Sequence, residues 1–265
     1  MAFVRIVVMG GTGTAGSVLV RQAVSQGMDV VVLSRRPGNN AGGAALAVGE
    51  LSTGAGLREA FTGADAVIDC SNVRKLSRRP VEQFFVTGTR NLVEAAASAD
   101  VGRLVLLSIV GIDRVPMGYY QAKLAQEAAL IELAGRAGLP YTIARVTQFH
   151  EFAGQILNRS RLGRWALVPR MRVQPVDLTD VAEHLLATAG SQPTISGRAP
   201  DLAGPAEQDL ADMAARLVAK RGDRVRVVPI RLPGRAGRAV QAGGLLPAPG
   251  SVTGRRTFEE WLAER

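Results

Sequence analysis

Cysteine occurs once in the 265 residues, at Cys70, so no internal disulfide can brace the chain, and a reducing, cytoplasmic setting is expected. Long apolar runs are also missing. None reaches the roughly 18 residues of a membrane span, so a soluble protein without a membrane segment is expected. The opening Met1-Ala2-Phe3-Val4-Arg5-Ile6-Val7-Val8 lacks a basic start and a small-residue cleavage site, and reads as a first strand rather than a signal peptide. Histidine is limited to His150 and His184, too few and too isolated for a metal site, and no metal is expected. Lysine is scarce too. Only Lys75, Lys123 and Lys220 stand against 29 arginines, so the net charge of +9 is carried by guanidinium groups. These fall singly or in pairs, without a run of five or six and without interleaved aromatics, which argues against a nucleic-acid partner.

What is present is an alternation of apolar runs and helical patterns. Residues 4–9 and 29–34 read as strands around a helix from Ala15 to Gln26 closed by Gly27. Ala66 to Cys70, Arg103 to Ser108 and Tyr141 to Arg145 read as further strands, with helices from Gln83 to Ser98 and from Tyr119 to Ala137. This rhythm predicts an α/β fold with a doubly wound parallel Rossmann sheet. Beyond Arg145 it weakens. Helices are expected from Asp180 to Ala189 and from Ala206 to Arg221, and Arg231 to Gly254 reads as a long loop. The expected organisation is one domain over 1–265, in which about 146–175 and 190–265 form a small substrate-binding part.

The turn between the first strand and helix is Gly10-Gly11-Thr12-Gly13-Thr14-Ala15-Gly16. Its glycines suit a tight turn at Gly10, a close backbone approach to a pyrophosphate at Gly13 and close helix packing at Gly16, with helix N–H groups left for the anion. Thr12, Thr14 and Ala15 complete this candidate cofactor cradle. An NAD enzyme usually carries an acid at the end of the second strand; here Ser34, Arg35 and Arg36 follow instead. Two guanidinium groups suit a 2'-phosphate, so NADP(H) is expected over NAD(H), although solvent-facing arginines would look the same in a chain so rich in them.

With these residues in hand, the chain resembles the atypical short-chain dehydrogenase/reductases, particularly the NmrA-like NAD(P)-binding branch. The glycine turn, Gly49-Glu50-Leu51, Leu107-Ser108, Tyr119-Tyr120-Gln121-Ala122-Lys123, Arg145-Val146-Thr147-Gln148-Phe149-His150 and Gln174-Pro175-Val176-Asp177 carry the resemblance. It implies a catalytic set in which Tyr119 protonates the nascent alkoxide, Ser108 hydrogen-bonds the carbonyl oxygen and Lys123 holds the nicotinamide ribose. Tyr119 and Lys123 stand four apart on the predicted helix, so they share a face, and a cation there lowers the pKa of a neighbouring phenol. Packing roles for Ser108, Tyr119 and Tyr120 remain open. Glu50 stands where many relatives carry Asp, and only Asn91 offers itself as a fourth catalytic residue. Cys70, Ser71 and Asn72 occupy the rim where cofactor contact is implied, Cys70 reading as a small hydrophobe rather than a nucleophile. Gln148 is a candidate cofactor contact. Phe149, His150 and Trp165 are candidate substrate contacts, with Leu167 and Val168 beside Trp165; His184 reads as a surface or packing residue.

Three functions follow. The first is an NADPH-dependent oxidoreductase that reduces a carbonyl or quinone of a small, moderately apolar molecule. The second is a non-enzymatic NADP(H) sensor, and the third a non-redox enzyme, such as a cyclase or isomerase, using the same pocket.

Overall fold

The computed structural model describes residues 4–36, 42–73, 78–191 and 196–265. In chain order the first half contains β1 (Arg5–Met9), α1 (Thr14–Ser25), β2 (Asp29–Ser34), β3 (Ala45–Val48), α2 (Leu57–Phe61), β4 (Ala66–Asp69), α3 (Arg78–Ser98), β5 (Leu104–Ile109), α4 (Gly118–Ala137) and β6 (Tyr141–Val146). There follow α5 (Phe152–Ser160), β7 (Arg161–Leu162), β8 (Trp165–Pro169), β9 (Arg172–Val173), α6 (Leu178–Gly190), β10 (Gly197–Arg198), β11 (Leu202–Ala203), β12 (Gln208–Asp209), α7 (Leu210–Arg221), β13 (Arg226–Ile230), α8 (Gly234–Gln241), β14 (Val252–Thr253) and α9 (Phe258–Ala263). The chain divides into two compact units, one comprising Met1–Ser108, Gly118–Arg145 and Val181–Ala199, the other Ile109–Met117, Val146–Asp180 and Pro200–Arg265.

The first unit is a Rossmann-like α/β sheet. Its strands lie in the order β3-β2-β1-β4-β5-β6, with β10 beside β6. The β1–β2, β1–β4, β2–β3 and β4–β5 pairs are all parallel. The sequence explains the arrangement. Ile6, Val7 and Val8 of β1 and Ala66, Val67 and Ile68 of β4 are each no more than 1% exposed, as expected of central strands covered on both faces and therefore apolar at every position. On one face Val7 and Val67 share a core with Val31, Phe61, Leu104 and Ile143. Strand order reverses between β1 and β4, which opens a crevice at their carboxyl ends.

The second unit is built from shorter pieces. β8 pairs antiparallel with β7 and parallel with β13, in the register Leu162↔Trp165 and Arg226↔Trp165. Helices α5 and α7 pack against β8, whose Ala166 and Val168 are fully buried. Two sequence expectations change here. The helix expected from Ala206 begins at Leu210, because Gln208 and Asp209 pair with β9 and the Asp209 carboxylate caps the helix, accepting from Ala211 N at 2.9 Å and Asp212 N at 3.3 Å. The stretch read as one loop from Arg231 to Gly254 contains α8, whose few apolar residues hid its period. It packs through Gly237 and Val240, and a Cβ on Gly237 would overlap the Leu232 carbonyl.

Candidate functional site

The glycine turn joins β1 to α1 in the first unit. Gly10 has φ +69°, a left-handed conformation that favours glycine, and an added Cβ would lie 2.7 Å from the Cys70 carbonyl oxygen. A Cβ on Gly16 would overlap the Gly10 carbonyl oxygen, so α1 can start this close only with glycine there. Gly13 is the N-cap and supplies no side chain, and the first turn of α1 holds no acid. Thr12, Gly13 and Thr14 are exposed, while Ala15 is buried beneath them. An uncapped helix start with exposed backbone and no negative charge fits a dinucleotide diphosphate.

At the end of β2, the Ser34 hydroxyl donates to the Arg36 carbonyl at 2.9 Å, turning the chain so that Arg35 and Arg36 are exposed. Glu50 is half-buried, its carboxylate accepting from the backbone N–H and the hydroxyl of Ser52. Asn91 donates to the Leu51 carbonyl at 2.8 Å and so holds that turn. At the end of β4, half-buried Cys70 has its thiol pushed up by burial and by the Asp69 charge, away from thiolate chemistry. Ser71 Oγ is buried without a partner, and exposed Asn72 accepts from the Tyr119 hydroxyl at 3.0 Å.

Below Tyr119 the side chains form a buried polar network. Lys123, 3% exposed, donates to the Leu107 carbonyl at 2.9 Å and to Gln126 Oε1 at 2.6 Å, and its ammonium lies 5.0 Å from the Phe85 ring centroid. Gln126 in turn donates to Asp69 Oδ2 at 3.1 Å. Burial pushes the Lys123 pKa down and the Asp69 pKa up; the attraction between the two charges opposes both shifts. Ser108 donates to Glu127 Oε1 at 2.6 Å, and the same carboxylate takes a forked pair from Arg145 at 2.8 and 2.7 Å and a further bond from Arg198 at 3.2 Å. Tyr120 is buried, with its phenol pushed up by that burial and by Tyr119.

In the second unit, Gln148 is 8% exposed, and neither its amide nitrogen nor its amide oxygen has a hydrogen-bond partner. Such an orphan amide is costly unless a ligand satisfies it. Phe149 is half-buried and bridges to Val176. His150, read from sequence as a candidate substrate contact, has 0% exposure. Its ring lies against Phe258 and Trp261, with centroids 5.8 and 5.7 Å away, and Nε2 is 3.1 Å from the Arg256 carbonyl. In this structure His150 is a packing residue. Trp165 is 47% exposed with the Arg226 guanidinium 5.2 Å from its ring centroid; Leu167 is exposed and Val168 buried. Half-buried His184 lies in α6 of the first unit, its pKa lowered by burial. Among the described residues no group of three or more His, Cys, Asp or Glu could hold a metal ion. Among them, no helix is long and apolar enough to cross a membrane.

A family model described as NAD(P)H-binding matches residues 10–194, well over half of the chain. The chain belongs to this NAD(P)H-binding family. Relatives include the photosystem II assembly factor Ycf39 of Cyanophora paradoxa, 28% identical over 237 residues that cover 85% of this chain and 72% of that protein. Ycf39 of Synechocystis is 35% identical over 116 residues, 42% of this chain and 36% of that protein. Among solved structures, MoeE5 in complex with UDP-glucuronic acid and NAD gives a TM-score of 0.77 at 20% identity, covering 98% of this chain and 96% of that one. The Escherichia coli NADPH-dependent quinone oxidoreductase QOR2 complexed with NADPH gives 0.72 at 17% identity, covering 98% and 99%. At that identity the likeness concerns the fold.

The family match includes three buried residues that sequence reasoning did not single out: Asp69, Gln126 and Glu127. Gln126 and Glu127 stand three and four positions beyond Lys123 on α4, a spacing that places them on its face. Asp69 gave another signal, a carboxylate closing an otherwise apolar strand.

Proposed function

We propose that this member of the NAD(P)H-binding family is an NADPH-dependent reductase of a carbonyl or quinone in a small, moderately apolar molecule. The observation that carries the reading is the Tyr119 phenol, held on Asn72 just beyond the carboxyl end of β4. In this reading the turn from Gly10 to Gly16 takes the diphosphate, Arg35 and Arg36 favour a 2'-phosphate, and Ser71 and Asn72 offer polar contacts to the bound dinucleotide. The nicotinamide supplies hydride when bound. Tyr119 delivers the proton to the substrate oxygen, Asn72 orients the phenol, and the Lys123 charge favours the phenolate left behind.

A second reading, an NADP(H)-responsive binding protein without turnover, is favoured by one specific observation. Ser108 is committed to Glu127, and Lys123 is committed to Leu107 and Gln126, so two of the three expected catalytic groups already have buried partners. The Ycf39 relatives, named as assembly factors, support the same reading.

Stopped-flow oxidation of NADPH and NADH across quinones, ketones and aldehydes separates the two, with cofactor binding measured in parallel. The reductase predicts turnover with NADPH that falls about 10²- to 10⁴-fold in Tyr119→Phe while cofactor affinity holds. Tight NADPH binding without turnover on any substrate favours the binding protein or a non-redox enzyme using the same pocket, and failure to bind either dinucleotide overturns all of these.

A further inference from the structure

The β7-β8-β13 sheet of the second unit is covered on one face only. Ala166 and Val168 of β8 point to the face packed by α5 and α7 and are fully buried. The opposite face carries Trp165 and Leu167, 47% and 38% exposed, with Leu162 paired across from Trp165 and 66% exposed. These are three of the large apolar side chains most open to solvent among the described residues, and pairing and alternation put them on one side of one small sheet.

The charge around them is one-sided. Residues 159–170 and 221–231 together hold eight arginines and a single acid, Asp223. The register of β8 with β13 brings these two segments together. Arg226, in register with Trp165, shares its side of the sheet, and Arg164 and Arg224 adjoin the two strands; all three are exposed, and among the described residues none of the three forms an ion pair. Elsewhere in this unit Arg172 is paired with Glu207 and half-buried Arg216 with Glu259. An apolar centre with unneutralised guanidinium groups at its margin matches a surface that is negative outside and apolar beneath. Tryptophan and arginine side chains settle at the headgroup level of a bilayer, and aliphatic side chains settle just below it.

We propose that this sheet face docks on the surface of an anionic lipid bilayer. Trp165, Leu162 and Leu167 enter the headgroup boundary, and the surrounding arginines pair with lipid phosphates. A nucleic acid would use stacking rings in series, whereas two of the three apolar groups here are leucines that cannot stack. That no helix among the described residues is long and apolar enough to span a membrane bears on crossing a bilayer, not on lying against one. The proposal does not depend on the reductase reading, since none of these residues belongs to the candidate cofactor cradle.

The chain has two tryptophans, and Trp261 is buried at 3% exposure, so a change in emission on binding reports Trp165. The full chain is mixed with vesicles of equal parts phosphatidylcholine and phosphatidylglycerol, with phosphatidylcholine vesicles, and with a single-stranded oligonucleotide and polyglutamate as competing polyanions. Sedimentation with the anionic vesicles, a blue shift of emission and quenching by brominated acyl chains are expected. Partition should fall at least about twentyfold in Arg164→Glu/Arg226→Glu, at about fivefold for each arginine near the surface. It should also fall in Leu162→Ser/Leu167→Ser with NADPH binding unchanged. Absence of sedimentation, equal binding to neutral vesicles, sedimentation without quenching of Trp165, or retention on the oligonucleotide or polyglutamate but not on vesicles would each overturn the proposal. Quenching in the unaltered protein keeps the test decisive if a double variant fails to fold.

Discussion

In the first unit the charged side chains of interest lie inside: Asp69, Lys123, Glu127 and Arg145 are each no more than 4% exposed, Asp69 hydrogen-bonded to Lys123 through Gln126 and Glu127 to Arg145, whereas the second unit buries His150 among Phe258 and Trp261 and leaves arginines without ion pairs beside an uncovered sheet face. The difference concerns how much depends on each charge. A buried ion survives only while its partners stay, so each of these hydrogen-bonded sets depends on all of its members. A surface arginine is solvated whether or not a partner is present, so its removal leaves the unit that carries it intact.

The contrast can be broken at its strongest point first. Glu127→Ala removes the buried carboxylate that receives Ser108, Arg145 and Arg198; a loss of about 3–5 kcal/mol in urea unfolding is expected. A cost no greater than that of a surface substitution would show that the network carries little.

A smaller effect is expected from acid in the second unit. Burial pushes the His150 pKa below its usual 6.5, more than the Arg256 carbonyl and the nearby acids restore. As pH falls through 6.5 the unfolded chain takes up a proton that the folded ring resists, so stability present above 6.5 is lost progressively towards the lower folded value. Asp69 and Glu151, raised by burial, act in the opposite sense. The measurement is therefore a difference: between about pH 8 and pH 5 the thermal midpoint of the unaltered chain should decline relative to that of His150→Phe, and parallel curves would remove His150 as the cause. The smallest effect belongs to exposed Arg159→Gln, expected to change stability by no more than about 0.5 kcal/mol in the same urea assay.

The same contrast governs what could be read in advance. β2 was legible at Asp29–Ser34 and α4 to within one residue, because doubly covered parallel strands leave continuous apolar runs and the helices between them keep their period. β3, with the four residues Ala45–Val48 at the edge of the sheet and none buried, gave no comparable run, and the two-residue β7 lies below any window of periodicity. Within the candidate site the glycine turn was legible because its residues are consecutive. The link from Lys123 through Gln126 to Asp69 was not, since only the strand order brings β4 beneath α4, and residue spacing carries no record of it.

The hairpin of β7 and β8 also closes locally. Leu162 meets Trp165 across a turn at Gly163, a closure of the kind completed in roughly 1–10 μs, while β1 joins β4 only when Ile6 finds Ala66 across a parallel crossover. Pairings between residues so distant in the chain are the slow ones. The outward-facing pair Leu162 and Trp165 therefore needs only a local closure, whereas the glycine turn rests on the Cys70 backbone, which only a long-range parallel pairing brings to it.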